Sequence, residues 1–226
     1  MEESMSQRKA IVLGGTGLIG NELIQLLMEN SNYSEIRVLG RRNTEHKNPK
    51  VKFYPVDLSH ISDSTKLFEV EDVFCCLGTT MKKAGSKEAF KHVDYDMILN
   101  GAKSAEGKIQ NFVLISSLGA NPQSGNFYLK TKGETERDLS VLNIPSISIL
   151  RPSILFGNRH ENRLGEKIGI WVMKAMSPLF IGPLKKYRGN KASTVAMAMV
   201  IYALENKPGR HIYESLEFEK KVAAAI

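Results

Sequence analysis

The sequence predicts an α/β fold built on a parallel sheet with helices on both faces. Three observations lead there. Short β-branched runs alternate with longer helical patterns, the runs are apolar at successive positions, and no repeat interrupts the alternation. Strands apolar on consecutive residues are buried on both faces. Their alternation with helices implies right-handed crossovers onto a doubly wound sheet.

Ala10–Leu13 is the first run and ends in glycines; from Leu18 to Met28, Leu23, Leu26 and Leu27 then recur at helical spacing. Ile36–Leu39 reads as the second strand, Val51–Val56 as the third, and Val73–Leu77, closed by Gly78, as the fourth. A helix over about Lys87 to Ala105 leads into the fifth strand, Phe112–Ile115. Lys130 to Leu142 is helical, and Ser146–Leu150 is the sixth strand. After Arg151-Pro152, Gly, Pro and basic residues become frequent, with helices expected near Glu166–Met176 and Ser193–Glu205. This reads as one domain, with residues 8–154 as its core and residues 155–226 as a small substrate-side region packed on the sheet.

Apolar residues make up 42% of the 226 and charged residues 24%, which excludes a disordered chain. No apolar run approaches the ~20 residues of a membrane span, and Met1–Lys9 is too polar for a secretory signal. Cys75 and Cys76 are adjacent, a poor geometry for a bridge, so a reducing, cytoplasmic compartment is expected. His46, His60, His92, His160 and His211 lack ligand spacing, and no metal site is expected. The net charge of +7 is uneven: 19 basic against 18 acidic groups in residues 1–154, and 12 against 6 in residues 155–226. Either a solvated surface or an anionic partner accounts for that excess. Its densest run, Lys185, Lys186, Arg188 and Lys191, has no aromatic interleaving, so nucleic acid is not an expected partner.

Gly14-Gly15-Thr16-Gly17-Leu18-Ile19-Gly20 lies between the first strand and the first helix. Glycines at 14, 17 and 20 allow a tight turn and close helix–sheet packing, and the helix N-terminus offers free N–H groups to a pyrophosphate. Between a strand and a helix this is a Rossmann-type dinucleotide turn, expected to bind through Gly14, Thr16, Gly17, Leu18, Ile19 and Gly20. The acid that binds the ribose 2′-hydroxyl in such folds is missing from the tip of the second strand, where Arg41 and Arg42 stand. Two guanidiniums suit a 2′-phosphate, so NADP(H) is expected over NAD(H), a solvated arginine pair being the alternative. Asp57 either accepts from the adenine amino group, with Leu58 as apolar cover, or caps a helix. Cys76, Leu77, Gly78 and Thr79 close the fourth strand, where the crevice of an open sheet faces its ligand.

Ser116 and Ser117 close the fifth strand. Tyr128 and Lys132 follow four apart, on one face of a helix. A lysine ammonium beside a phenol favours the phenolate, which makes Tyr128 a proton donor or acceptor near neutral pH; a surface pair is the alternative. Pro152 stops the sixth strand. Arg159, Glu161, Arg163 and Glu166 border a cleft or form a salt-bridged loop; Trp171, Met173 and Met176 line core or cleft.

The glycine turn, the Ser-Ser pair and Tyr-x-x-x-Lys, in this order, resemble the short-chain dehydrogenase/reductase superfamily. LGRR (39–42), FCCLGTTMKKAG (74–85), SSLGA (116–120), YLKTKGETE (128–136) and NRHENRLGE (158–166) narrow the resemblance. They are similar to atypical members grouped with the HIV Tat-interacting oxidoreductase-like protein and its bacterial relatives, from about Lys9 to Phe218. The resemblance implies one Rossmann-type domain binding NADPH, with Ser117 (Ser116 its neighbour), Tyr128 and Lys132 as the catalytic set. Arg41 and Arg42 then meet the adenosine phosphate, and the likeness to extended relatives implies that Pro152 and the backbone of Ser153 and Ile154 lie against the nicotinamide carboxamide. Ser117 and Tyr128 are only 11 positions apart, compact for the superfamily. The helical Asn of many relatives has no secure match; Asn100 is the nearest choice. The expected function is NADP(H)-dependent reduction of a small carbonyl compound with Tyr128 as general acid. Epimerase or dehydratase chemistry on the same scaffold is one alternative, and an NADPH-sensing protein that touches a protein partner without turnover is another.

Overall fold

All six predicted strands form, and a seventh joins them. A computed structural model of the chain describes residues 7–43, 46–156 and 189–225. The strands are β1 (Arg8–Leu13), β2 (Tyr33–Gly40), β3 (Val51–Pro55), β4 (Asp72–Cys75), β5 (Asn111–Ile115) and β6 (Ser146–Arg151). A short pair, β7 (Leu155–Phe156) with β8 (Asn190–Lys191), stands apart, and β9 (Gly209–Glu214) completes the sheet. The order β3-β2-β1-β4-β5-β6-β9 is parallel throughout. The order reverses between β1 and β4, which is where open α/β sheets bind ligands.

The helices are α1 (Leu18–Glu29), α2 (Met81–Ala84), α3 (Lys87–Lys91), α4 (Met97–Ala105), α5 (Phe127–Leu139), α6 (Ala192–Glu205) and α7 (Ser215–Ala225). One core layer packs α1, α6 and α7 on the sheet through Leu23, Leu27, Val195, Met199 and Phe218. The other face is covered by α4, α5 and a 3-10 turn over Ile61–Phe68. The C-terminal part thus does more than border a cleft, since residues 190–225 add a strand and two helices to the main sheet. β9 escaped the sequence reading because it is an edge strand with Arg210, Ile212 and Glu214 exposed, not an apolar run. The helix expected near Glu166–Met176 and the residues Arg159, Glu161, Arg163, Trp171, Lys185, Lys186 and Arg188 lie outside the described residues.

Two helices depart from expectation. The single helix expected over Lys87 to Ala105 is α3 and α4 joined by a π-turn, His92–Asp96. Helix α5 starts at Phe127, where Asn126 caps it by accepting the Leu129 N–H at 3.2 Å. At its far end the sheet is tied by Asp72, which is wholly buried. Arg8 donates to its two oxygens at 2.7 and 2.6 Å, Tyr33 at 2.8 Å and Asn111 at 2.8 Å, so four strands meet on one carboxylate. Burial and that carboxylate together push the Tyr33 phenol far up.

Gly133 explains how eleven positions suffice between Ser117 and Tyr128. A Cβ there would stand 2.2 Å from the backbone of Asn121 and Pro122, so the connection lies directly on α5. Gly133→Ala should cost about 1–3 kcal/mol in denaturant unfolding through overpacking. Gly125→Ala, with open space around its Cβ, should stay within about 0.5 kcal/mol of wild type.

Candidate functional site

The expected site residues fall into three groups, all at the C-terminal edge of the sheet. The first is the glycine turn. Gly14 has φ +82°, and a Cβ there would lie 2.8 Å from the Cys76 carbonyl group. A Cβ on Gly20 would stand 2.3 Å from the Gly14 oxygen. Turn, helix and the end of β4 are therefore in backbone-to-backbone contact, as only glycine permits. Helix α1 begins after Gly17 with no side-chain cap and no acid in its first turn, so its leading N–H groups and dipole face outward. Cys76 sits between layers, its Sγ 3.9 Å from the Met199 Sδ, and burial pushes its thiol well up.

The second group is at β2 and β3. The Val56 N–H donates to the Gly40 carbonyl at 3.1 Å, which sets Arg41 and Arg42 beside Asp57 and Leu58. Both arginines are exposed and Leu58 is buried. Asp57 closes a local turn: its carboxylate accepts the Ser59 N–H at 3.0 Å and lies 3.5 Å from His60 Nδ1. The Ser59 N–H is the main reason its carboxyl sits below the usual range. Asn100 belongs here and not with Lys132. Its side-chain amide donates to the Leu58 and Ser59 carbonyls at 3.3 Å each, so the expectation that it completes the catalytic set is corrected.

The third group gathers on α5. Tyr128, Lys132 and Glu136 recur every four residues and so form one stripe. Tyr128 rests its ring on Phe90, centroids 5.5 Å apart. Lys132 is buried, and its ammonium meets Asp94 Oδ1 at 2.7 Å. The other Asp94 oxygen accepts the Thr79 N–H at 2.8 Å. Glu136 is held by an Arg151 fork at 2.5–3.2 Å and accepts a short bond from the Ser116 hydroxyl. Ser116 is thereby consumed, whereas Ser117 Oγ lies 3.5 Å from the Leu118 carbonyl, too far to bond well. Of the two serines, Ser117 keeps the hydroxyl that is not committed to a carboxylate.

Part of the backbone after β6 is already bonded within the protein. The Ser153 N–H donates to Asn190 at 2.8 Å and to the Ser215 hydroxyl at 3.0 Å, and the Ile154 carbonyl accepts from the Asn190 N–H at 2.8 Å. The Ser153 N–H and the Ile154 carbonyl are thus engaged within the protein; Pro152 is buried, and the Ile154 side chain is 59% exposed. Sequence reading missed Asp94 and Glu136. The four-residue stripe from Tyr128 carried a signal for Glu136, while Asp94 depends on a π-turn that no local pattern announces.

The family model described as semialdehyde dehydrogenase, NAD binding domain, matches residues 9–98. Protein HTATIP2 of Rattus norvegicus is 32% identical over 94% of this chain and 87% of its own length. The chain belongs to the HTATIP2 family. The mitochondrial protein FMP52 of Candida albicans is 37% identical over 71% of this chain and 75% of its own. Two solved structures share the fold. The Bordetella bronchiseptica enzyme WbmH in complex with NAD+ has TM-score 0.68 at 13% identity, over 97% of this chain and 80% of that one. UDP-glucose 4-epimerase of Thermotoga maritima has TM-score 0.67 at 16% identity, over 96% and 82%. The matched NAD binding domain and the sheet order make the glycine turn part of a nucleotide-binding Rossmann domain. No helix among the described residues is long and apolar enough to cross a membrane.

The two serines should separate cleanly in thermal or denaturant unfolding. Ser116→Ala leaves buried Glu136 one donor short and should cost about 1–3 kcal/mol. Ser117→Ala should change stability by less than about 0.5 kcal/mol.

Proposed function

We propose that the chain is an NADP(H)-dependent reductase of a small carbonyl compound. The observation that carries this reading is the Tyr128–Lys132 pair on α5, at the same sheet edge as the glycine turn. The turn itself passes a test of fit. Gly14, Gly17 and Gly20 bring no side chain of their own to the uncapped start of α1, and such an N-terminus suits a pyrophosphate. Arg41 and Arg42 would hold the 2′-phosphate, and Leu58 would flank the adenine. When bound, the nicotinamide supplies the hydride.

The chain's own residues do the rest. Ser117 orients the carbonyl oxygen by donating its hydroxyl hydrogen. Tyr128 gives its proton to that oxygen as negative charge develops there. Lys132, charged and one helical turn away, steadies the phenolate left behind. The basic excess of the C-terminal third fits an anionic substrate, and two unbridged cysteines fit the cytosol.

A panel of aldehydes, ketones and quinones, followed by NADPH absorbance, tests the reading. Tyr128→Phe should lower kcat on any active substrate by about 10²–10⁴ and still bind NADPH. Failure of every carbonyl class to turn over, or full activity in Tyr128→Phe, would remove it. Arg41→Ala should weaken NADPH binding about 10- to 100-fold, as loss of a charged hydrogen bond does, and leave NADH binding almost unchanged. Equal affinity of the wild type for the two dinucleotides would refute the 2′-phosphate assignment.

A further inference from the structure

Resting on the reductase reading, we infer that Asp94 is the positioning residue of this site: its carboxylate keeps Lys132 charged and fixes it beside Tyr128 and the loop after β4. Lys132 lies almost wholly out of water, where an ammonium without a counter-charge gives up its proton. Asp94, equally buried, stands 2.7 Å away. Its second oxygen takes the Thr79 N–H, and its main-chain carbonyl takes the Thr135 hydroxyl at 2.8 Å. One residue thus binds the lysine, the loop and α5 together. The pair lies directly beneath Gly78, where a Cβ would stand 3.5 Å from Asp94 Oδ1 and 3.7 Å from Lys132 Nζ.

The π-turn that carries Asp94 is part of the device. A π-turn adds one residue to a helix, which rotates the segment before it by about 100° relative to the segment after it. That is how a residue between Phe90, packed on Tyr128, and the core face of α4 comes to aim at Lys132. Among the described residues, three titratable groups face the ammonium: Asp94 from the π-turn, Tyr128 from its own helix and Cys75 from β4. Burial pushes the Cys75 thiol up to about 12, so it carries no charge near neutrality. Burial also pulls the lysine toward neutrality, and Asp94, with the Tyr128 phenol, more than offsets this and holds it above its ordinary value.

The test needs no dinucleotide. Lys132 is titrated through its Cε resonance in ¹³C-lysine protein, assigned by its loss in Lys132→Arg, in wild type, Asp94→Asn and Thr135→Val. Asparagine can still accept the Thr79 N–H but brings no charge. Asp94→Asn should lower the Lys132 midpoint by about 1–3 pH units, while Thr135→Val, which removes only the main-chain anchor, should leave it in place. An unchanged midpoint in Asp94→Asn overturns the inference. Should Asp94→Asn not fold, the wild type decides: a midpoint above that of free lysine supports the inference, and one below it overturns it. NADPH binding, read by fluorescence on the same samples, is a separate outcome. A chain that binds no dinucleotide defeats the reductase reading and leaves the titration result standing.

Discussion

Seven strands running in one direction constrain everything else in this molecule. Parallel strands send all their β-to-α connections to one edge, so the glycine turn, the arginine pair, Thr79, Ser117 and Pro152 share a side of the sheet before any tertiary detail is considered. The opposite edge is free to be purely structural, and it is used that way. There Asp72 draws Arg8, Tyr33 and Asn111 together. A buried carboxylate with its donors in place locks strand register, although it adds less net stability than its bond count implies. The two edges divide the labour, one holding the sheet together and the other holding groups whose bonding is left open.

Helix α5 repeats that division over two turns. Lys132–Asp94 and Glu136–Arg151 are both buried ion pairs on one stripe, four residues apart. The second is closed, since the Arg151 fork and the Ser116 hydroxyl occupy Glu136 on both oxygens. The first is asymmetric. Asp94 spends one oxygen on Thr79 and the other on the lysine, whose neighbour on the outer side is the Tyr128 phenol. Both pairs are neutral overall; the first differs in adjoining a phenol and a loop at the open edge, while the second is closed on itself.

The legible parts of this fold were those with a local signature. Consecutive apolar residues announced six strands, and the glycine spacing at 14, 17 and 20 announced the turn because packing forbids a Cβ at 14 and 20 and leaves little room for one at 17. Tyr128 and Lys132 were legible because four residues is one helical turn. What stayed hidden depended on partners distant in sequence. β9 has no apolar run, since an edge strand needs none. Asn100 looked like a catalytic amide only while its partners, the carbonyls of Leu58 and Ser59, were unknown. Asp94 was one acid among several in a polar helix until the π-turn aimed it at Lys132.

These hidden contacts are also the ones that join the two halves of the site. The Gly14 backbone presses on Cys76, three residues before the Thr79 N–H that Asp94 holds. Asp94 in turn holds Lys132, one turn from Tyr128. No flexible surface side chain interrupts this path, because each step is a backbone contact or a buried ion pair. A misplacement of about 1 Å can cost about 10²-fold in rate, and loops joined only by solvent-exposed side chains would tolerate such errors. A turn that seats a dinucleotide and a phenol that gives up a proton need a fixed separation, and packed backbone with one carboxylate supplies it.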